Sequence, residues 1–429
     1  MSDYEAATAF LDARIGHGVK PGLERMFGLM DAMAGPHLAA PTIHVGGTNG
    51  KTSTVRYVAA VLTRQGLAPG TFTSPHLESI EQRFGIGVDH LTRNEFADLV
   101  AEVGPVIELF EKQSGSGVTY FEATAALAFS LFAGYPASVG VVEVGLGGRL
   151  DATNVVEPQV VVITTLGRDH MEYLGSEIAG IAAEKAAIIK EGCVVVTGAL
   201  HGEAEAVIAA RAAEVGAQRF RLGTDFSITG NSPAVGGWVI DVDGIYSSHN
   251  ELQLRTHGRH QVDNFAIAVA AVEAFGGRAL DEMAVAEAAT IATPGRMEIV
   301  GTSPLLMIDG AHNLTAAQAL AASLQREFPS KEWSLVFGAM VDKEADEMLA
   351  VLAPQVDSLF AVAAETPRAM PVAELVELAE RLNLRASGHP SVAAGLRAAI
   401  AEAGPNGAVL VAGSLYVAGE ARVSLAPDR

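Results

Sequence analysis

The chain has 429 residues, 49% of them hydrophobic, which is enough for real cores and indicates two or three domains. Its formal net charge of −21 argues against duplex nucleic acid or an anionic membrane as a partner, because both require basic surfaces. The one cysteine, Cys193, excludes an intrachain disulfide and a thiolate metal cluster, and its apolar run CVVV predicts a buried strand position.

The N-terminal stretch MSDYEAATAF is acidic and lacks the basic flank and apolar core of a signal peptide. No apolar run reaches the roughly 18 residues that a membrane-spanning helix needs. We therefore expect a soluble, cytoplasmic protein that binds neither membranes nor nucleic acid, and we expect it to be a monomer.

Strand-like and helix-like runs alternate in the first half of the chain. TIHVGG precedes a predicted helix that starts near Thr52, and SVGVVEVG follows the helical run TYFEATAALAFSLFAGY. QVVVITTLG precedes the predicted helix SEIAGIAAEKAAIIK, and CVVVTG follows it. This alternation predicts an α/β fold with a P-loop-type parallel sheet that helices cover on both faces.

The pattern changes between Phe226 and Leu254, where FSITG, GGWVIDVDG and IYSSHNELQL predict a small element of short antiparallel strands. A helix is expected from about Val262 to Phe275. After the segment ATPGRMEIV, alternation resumes through PLLMIDG, a helix from Leu314, WSLVFGAM, SLFAVAA, PVAELVELAERL and GAVLVAGS. We predict a smaller doubly wound C-terminal α/β domain, with residues 1–296 in the first domain and 297–429 in the second.

The stretch GGTNGKTS joins the first strand to the first helix of the predicted sheet and indicates a phosphate-binding loop. Its glycines let backbone N–H groups face an anion, and the helix N-terminus adds donors and a positive dipole. Lys51 can reach β- and γ-phosphates, and the Thr52 hydroxyl can coordinate Mg²⁺. Val45 occupies the first glycine position of the general pattern, which shortens the loop. The alternative is a glycine-rich turn with an incidental lysine.

Polar residues follow neighbouring strands of this sheet. Glu143 ends the apolar strand VVEV, and a buried glutamate is costly unless it is paired or bound to a metal. We expect magnesium coordination, and the alternative is a salt bridge to Arg149. Ser74 and His76 follow a short earlier strand, and the alternative for them is an ordinary Ser-Pro turn. His170 follows the strand QVVVITTLG, which is the next one after the strand of Glu143.

Lys185 lies in the apolar helical stretch IAAEKAAIIK. Burial would favour its neutral amine, which can condense with CO₂ to a carbamate that binds Mg²⁺ or supports a neighbouring residue. The alternative is an ion pair with Glu184 or another acid.

A series of motifs runs in order from residue 44 to residue 422: HVGGTNGKTS, TSPHL, TYFEATAALAF, EVGLGGRLDATN, DHMEYLGSEIAGIAAEKAAIIK, GRHQVDN, PGRMEIV, DGAHN, DKEADE and GSLYVAGEAR. In these the chain resembles the folylpolyglutamate synthase/dihydrofolate synthase family of the Mur ligase superfamily, which forms amide bonds with ATP. EVGLGGRLDATN is typical of this branch rather than of the cell-wall ligases.

The resemblance implies an ATP-binding Mur-ligase-like central domain and a Mur-ligase-like C-terminal domain. It implies the following nucleotide contacts: Gly47, Thr48, Asn49, Gly50, Lys51, Thr52, Asn264, Arg296, Asp309 and His312. It implies two Mg²⁺ with ligands among Thr52, Ser74, Glu143 and His170. Lys51, His170 and Lys185 would be catalytic, and Lys185 would be carbamylated as N6-carboxylysine.

For the pteridine-bearing substrate, the resemblance implies three contact segments. These are Lys20, Pro21, Gly22 and Leu23; Thr119, Tyr120, Phe121 and Glu122; and Leu150, Asp151 and Ala152. Phe121 would stack on a flat pterin ring. Lys20 stands where some bifunctional relatives have an aspartate, and Gln82 stands where the family usually has a glutamate.

The implied reaction is ATP-dependent addition of L-glutamate to a folate, and to dihydropteroate, through an acyl phosphate. Two other readings stay open. One is a cell-wall amino-acid ligase acting on a UDP-linked substrate, which LGGRLDATN and the early phosphate loop, at about residue 46, disfavour. The other is a nucleotide-dependent switch or binding module, which the polar strand ends disfavour.

Overall fold

The computed structural model describes residues 2–425 except 19, 136, 168–174 and 176. The chain forms two compact units. The first comprises residues 1–231, 240–252 and 263–291, and the second comprises residues 232–239, 253–262 and 292–429.

A large sheet forms the centre of the first unit. Its strands are β1 (Thr42–Gly46), β2 (Pro69–Phe72), β3 (Phe84–Ile86), β4 (Asp89–His90), β5 (Val139–Glu143), β6 (Pro158–Ile163), β7 (Val194–Thr197) and β8 (Gln218–Arg221). In the described part of the chain their order is β4-β3-β2-β5-β1-β6-β7-β8.

The six strands β2, β5, β1, β6, β7 and β8 are parallel. Next to β2, the strands β3 and β4 add two antiparallel pairs to the sheet. β1 pairs with β5 on one side, with Val45 opposite Glu143, and with β6 on the other. The carboxyl ends of β2, β5, β1 and β6 therefore meet at one edge, where the strand order reverses and where ligands bind in open α/β sheets. This confirms the predicted parallel sheet.

The helices up to residue 291 are Asp3–Asp12, Glu24–Ala32, Lys51–Arg64, Arg93–Ser114, Tyr120–Gly134, Ile178–Ala186, Gly202–Glu214, Arg259–Gly276 and Glu282–Ala288. Short 3₁₀ turns cover Ile15–His17, Pro36–Leu38, Ile80–Arg83 and Ala152–Val155. One core cluster joins four of the helices to the sheet and contains the buried rings of Phe72, Phe84, Phe96 and Phe129. Cys193 is buried, as the sequence predicts, but it lies directly before β7 rather than within the strand.

A separate three-stranded sheet contains β9 (Ser227–Ala234), β10 (Gly237–Asp243) and β11 (Ser248–Leu254), in the order β11-β10-β9. It corresponds to the predicted small β element. The expected helix near 262–275 extends over Arg259–Gly276, whereas the helix expected over SEIAGIAAEKAAIIK is described only from Ile178 to Ala186.

The second unit contains another α/β sheet, as predicted. Its strands are β12 (Glu298–Thr302), β13 (Leu305–Ile308), β14 (Trp333–Phe337), β15 (Val356–Ala361), β16 (Arg385–Gly388) and β17 (Ala408–Ala412), in the order β12-β13-β17-β14-β15-β16. β12 is antiparallel to β13 and the other pairs are parallel. Its helices are Leu314–Glu327, Ala345–Leu352, Val372–Arg381, Val392–Ala403 and Leu415–Leu425, with a 3₁₀ turn at Ala353–Gln355.

None of the helices in the described ranges combines the length and the apolar character that crossing a bilayer would require.

Candidate functional site

The phosphate loop, which we define as residues 46–51, joins β1 to the helix Lys51–Arg64. Gly47 has a φ of +140° and Gly50 a φ of +85°, a region that disfavours side chains. A Cβ at Gly47 would lie 2.0 Å from Thr164 Oγ1, and a Cβ at Gly50 would lie 2.4 Å from Asn264 Oδ1. Both positions therefore require glycine, and Asn264, a predicted nucleotide contact, lies directly against the loop.

The segment that follows β6 holds this loop in place. The backbone N–H of Thr48 donates to the carbonyl of Thr165 at 2.7 Å, and that of Asn49 donates to the Thr165 hydroxyl at 3.0 Å. The Thr164 hydroxyl donates to the Asn49 carbonyl at 2.7 Å. The loop conformation thus depends on two strand ends that are more than a hundred residues apart in sequence.

Two lysines converge on the loop. Lys51 Nζ donates to the carbonyls of Gly47 and Thr48 at 3.2 and 3.0 Å, and Lys185 Nζ donates to the Gly47 carbonyl at 2.9 Å. Lys185 is only 5% exposed, which agrees with its apolar sequence context. Glu184, one ion-pair partner considered for Lys185, accepts from Arg149 at 2.5 Å.

The carboxylate of Glu143 lies at the end of β5, next to the start of the phosphate-loop helix. Glu143 is 1% exposed, and both its oxygens accept from the Thr52 hydroxyl at 3.0 Å. The backbone N–H of Ser74 donates to Oε2 of Glu143 at 3.2 Å. Arg149, the alternative salt-bridge partner, is paired with Glu184. Three of the predicted magnesium ligands are therefore neighbours.

These residues fit a magnesium site. A buried carboxylate beside two hydroxyl-bearing residues offers the oxygen donors that Mg²⁺ prefers. The described residues contain no group of three or more His, Cys, Asp or Glu that would hold a metal by themselves, so water or phosphate oxygens would complete the coordination. His170, the remaining predicted ligand, lies outside the described residues.

The predicted nucleotide residues of the second unit are grouped around Gly310. Asp309 accepts from the N–H groups of Met297 and Ala311 at 2.9 and 2.7 Å, and His312 Nδ1 lies 2.8 Å from the Gly310 carbonyl. Arg296 extends over the same glycine, since its Nη1 lies 2.9 Å from where a Gly310 Cβ would be.

The first two predicted substrate segments are linked by Arg25, which the sequence analysis did not single out. Its guanidinium donates to both oxygens of Glu122 and to the Lys20 carbonyl. Glu122 also forms a capping box with Thr119 at the start of the helix Tyr120–Gly134. Arg25 thus bridges the segments 20–23 and 119–122.

The third segment, residues 150–152, is linked to the second through Gly145, on which Phe121 packs. A Cβ at Gly145 would lie 2.4 Å from the Phe121 ring, so the ring packs on that glycine. Asp151 is buried and accepts from the N–H groups of Gly145 and Leu146 at 3.0 and 2.8 Å. Burial raises its pKa, although these hydrogen bonds act in the opposite direction. Leu150 is 44% exposed.

Asp151 also accepts from the N–H and hydroxyl of Thr153, and Thr153 Oγ1 lies 2.9 Å from Nε2 of His44 on β1. Burial lowers the pKa of His44 to about 3, so this ring is neutral at physiological pH. The strand that leads into the phosphate loop is therefore hydrogen-bonded to the loop that carries Asp151. The sequence gives no local signal for this contact.

His76 lies close to two other side chains. Arg83 Nε donates to His76 Nδ1 at 3.1 Å, and the Arg83 guanidinium lies 5.3 Å from the Tyr120 ring centroid. Gln82 accepts at Oε1 from the N–H groups of Leu77 and Glu78 at 3.2 and 2.9 Å. The amide thus closes the turn after the TSPHL motif.

Comparison with known proteins agrees with this arrangement. Residues 45–272 match the Mur ligase middle domain, and residues 295–415 match the glutamate ligase domain of Mur ligases. The fold and the site therefore define a Mur-type ATP-dependent acid–amino-acid ligase.

More specific relatives exist. The dihydrofolate synthase/folylpolyglutamate synthase of Mycobacterium tuberculosis is 38% identical over 83% of this chain and 77% of its own length. The dihydrofolate synthase/folylpolyglutamate synthase of Bacillus subtilis is 33% identical over 98% of this chain and 99% of its own length. The solved structure of M. tuberculosis folylpolyglutamate synthase complexed with ADP matches with a TM-score of 0.95 and 35% identity, covering 99% of each chain. The chain belongs to the folylpolyglutamate synthase/dihydrofolate synthase family.

Proposed function

We propose that the protein uses ATP to join L-glutamate to a reduced folate such as tetrahydrofolate, extending its polyglutamate tail, and to dihydropteroate. The observation that carries this proposal is the buried Glu143 carboxylate, which accepts from the Thr52 hydroxyl beside the phosphate loop. The names of the M. tuberculosis and B. subtilis relatives and the ADP in the solved M. tuberculosis structure support the choice of substrates.

A free carboxylate is a poor electrophile, and ATP supplies the leaving group. The acceptor carboxylate attacks the γ-phosphorus, and the bond to the β–γ bridging oxygen breaks to release ADP. The resulting acyl phosphate is attacked by the amine of glutamate. A tetrahedral intermediate then collapses to the amide, loses a proton from nitrogen and expels inorganic phosphate.

The phosphate loop has two tasks in this scheme. Residues Thr48 to Lys51 would surround the β- and γ-phosphates, with the N–H groups of Gly50 and Lys51 and the helix N-terminus as donors. The N–H groups of Thr48 and Asn49 instead hold the loop against Thr165. Lys51 Nζ, which lies over the Gly47 and Thr48 carbonyls, is positioned to turn towards the γ-phosphate and to neutralise charge that develops there. Asn264 supports the loop at Gly50.

Thr52, Ser74 and Glu143 would hold one magnesium ion, and His170 would contribute to a second. When bound, magnesium offsets the repulsion between the nucleotide and the substrate carboxylate. Lys185, as a carbamate, would add a negative group close to the loop. Its amine gains CO₂ and loses a proton in that reaction.

Arg296, Asp309 and His312 would also contact the nucleotide. The domains that we propose are residues 1–296, which bind ATP and the acceptor, and residues 297–429. The acceptor would bind along the segments 20–23, 119–122 and 150–152, with its ring against Phe121.

The test is ADP release with ATP, Mg²⁺ and L-glutamate in the presence of tetrahydrofolate, dihydropteroate or neither. The proposal predicts ADP release only with an acceptor and glutamate together, and a product heavier by one glutamyl residue. Acceptor-independent ADP release without a glutamylated product would contradict it. The variant Lys51→Ala is expected to abolish the signal, whereas Lys112→Ala, an exposed lysine at the end of the helix Arg93–Ser114, is its control.

A further inference from the structure

We propose that Arg25 is a positioning residue that fixes the distance between the acceptor-binding segments 20–23 and 119–122 and thereby sets acceptor affinity. The inference rests on the proposed function, because these segments matter only if an acceptor binds there. The inference goes beyond the proposed function because it assigns a role to a residue that lies outside all three acceptor-binding segments.

The contacts of Arg25 connect the two segments directly. Nε lies 2.9 Å from both oxygens of Glu122, and one terminal nitrogen lies 2.8 Å from Oε1. The same nitrogen donates to the carbonyl of Lys20 at 3.1 Å. The side chains of Arg25 and Glu122 are 15% and 6% exposed, so solvent screens the pair weakly. One guanidinium therefore holds a loop carbonyl and a helix-start carboxylate together.

Glu122 transmits this contact to the other substrate residues of its helix. Its Oε2 also accepts from the N–H and the hydroxyl of Thr119, both at 2.8 Å. The first turn that carries Tyr120 and Phe121 is thus oriented by a carboxylate that Arg25 holds from the opposite side. Moving Arg25 would shift the ring of Phe121 relative to the loop 20–23.

The loop 20–23 depends on this contact because its own helix provides little support. The helix Glu24–Ala32 has no side-chain hydrogen bond at its N-cap, Leu23. Gly22 has a φ of +126°, and Lys20 is exposed with its Nζ 3.4 Å from the Gly117 carbonyl. The Arg25 bond to the Lys20 carbonyl is shorter and comes from a less exposed group. The planar guanidinium of arginine can donate to the Glu122 carboxylate and to the Lys20 carbonyl at the same time, whereas the ammonium of a lysine cannot reproduce this geometry.

The experiment compares equilibrium dissociation constants for tetrahydrofolate and for a non-hydrolysable ATP analogue in the wild type, Arg25→Ala and Arg25→Lys. The matched control is Arg219→Ala. Arg219 has the same side-chain exposure of 15% and binds Glu205 at 2.8 and 2.9 Å, and it lies on the edge strand β8, outside the predicted substrate segments. A tenfold change in a dissociation constant corresponds to about 1.4 kcal/mol, which is close to the contribution of one hydrogen bond to a charged group. We expect the tetrahydrofolate constant to rise at least about tenfold in Arg25→Ala and less in Arg25→Lys.

The nucleotide constant is expected to stay within about twofold in both variants, and Arg219→Ala is expected to change neither constant. A folded Arg25→Ala that binds tetrahydrofolate as the wild type does would overturn the inference. If Arg25→Ala does not fold, an unchanged tetrahydrofolate constant in Arg25→Lys would overturn it equally. Parallel loss of both ligands would also overturn it, since that is the mark of general destabilisation. Failure of the wild type to bind tetrahydrofolate would instead refute the proposed function.

Discussion

Replacing Gly50 with alanine tests the phosphate loop, because the structure offers a control with the same backbone cost. Gly50 has a φ of +85° and Gly66, two residues after the same helix, has a φ of +83°. Alanine at either position adopts a left-handed conformation that costs about 1–2 kcal/mol. Nothing lies within 4 Å of a Cβ at Gly66, whereas a Cβ at Gly50 would lie 2.4 Å from Asn264 Oδ1.

The size of the expected effect follows from that overlap. Ordinary contact begins at 3.4 Å, so the Asn264 amide must move by the difference between 3.4 and 2.4 Å, about 1 Å. Asn264 is 3% exposed, which limits its freedom to move. A shift of about 1 Å in a positioning group can lower turnover by about 100-fold. We therefore expect glutamate-dependent ADP release to fall about 100-fold in Gly50→Ala and to stay near the wild-type rate in Gly66→Ala.

The assay is ADP release at saturating acceptor and glutamate over a range of ATP concentrations, together with the thermal midpoint of each variant. Both midpoints are expected to fall by about 2–4 °C, since the backbone cost is shared. The reasoning would be refuted by a Gly50→Ala variant with wild-type activity. It would also be refuted if Gly66→Ala lost activity to the same extent, because the loss would then reflect helix strain alone.

Three further results are expected. Lys185→Ala should lose turnover and regain part of it with short carboxylates such as acetate, and a fully active variant would exclude the carbamate. Glu143→Gln keeps an acceptor for the Thr52 hydroxyl but removes the charge, so the Mg²⁺ concentration for half-maximal ADP release should rise at least about tenfold; an unchanged Mg²⁺ dependence would count against the ligand role. Burial holds the pKa of His44 at about 3, well below the roughly 6.5 of an unfolded histidine. The unfolded state therefore gains protons first, and the stability that His44 contributes above pH 6.5 is lost as the pH falls towards 3. The wild type should lose stability more steeply in acid than His44→Gln, measured by urea unfolding from pH 7 to 4, and equal slopes would exclude His44 as the source.

The strand ends and the phosphate loop could be predicted because their signals are local. The sequence predicts a helix that starts near Thr52, and the structure begins it at Lys51. The apolar runs that precede Ser74 and Glu143 form adjacent parallel strands, so their shared edge follows from the alternating pattern. The sequence does not predict the strand Glu298–Thr302, because ATPGRMEIV contains Pro and Gly and its apolar residues are few. The antiparallel pairing with β13 identifies it as a strand.

The contacts between distant segments could not be predicted. Arg25 and Glu122 are 97 residues apart, and His44 and Thr153 are 109 residues apart. Arginine is usually an exposed residue, and nothing near Arg25 in the sequence indicates that its guanidinium is largely buried. Family resemblance implied that Thr119 and Glu122 contact substrate. The structure shows that Thr119 and Glu122 form a capping box, for which the Thr-x-x-Glu spacing is a sequence signal, and that Glu122 binds Arg25, for which there is none.

The most direct test of the account is a crystal structure with a non-hydrolysable ATP analogue and Mg²⁺. We predict the β- and γ-phosphates in the phosphate loop, at the N–H groups of Gly50 and Lys51, and a metal ion contacted by Thr52 and Glu143. Phosphates bound elsewhere, with Lys51 still turned to the carbonyls of Gly47 and Thr48, would contradict it.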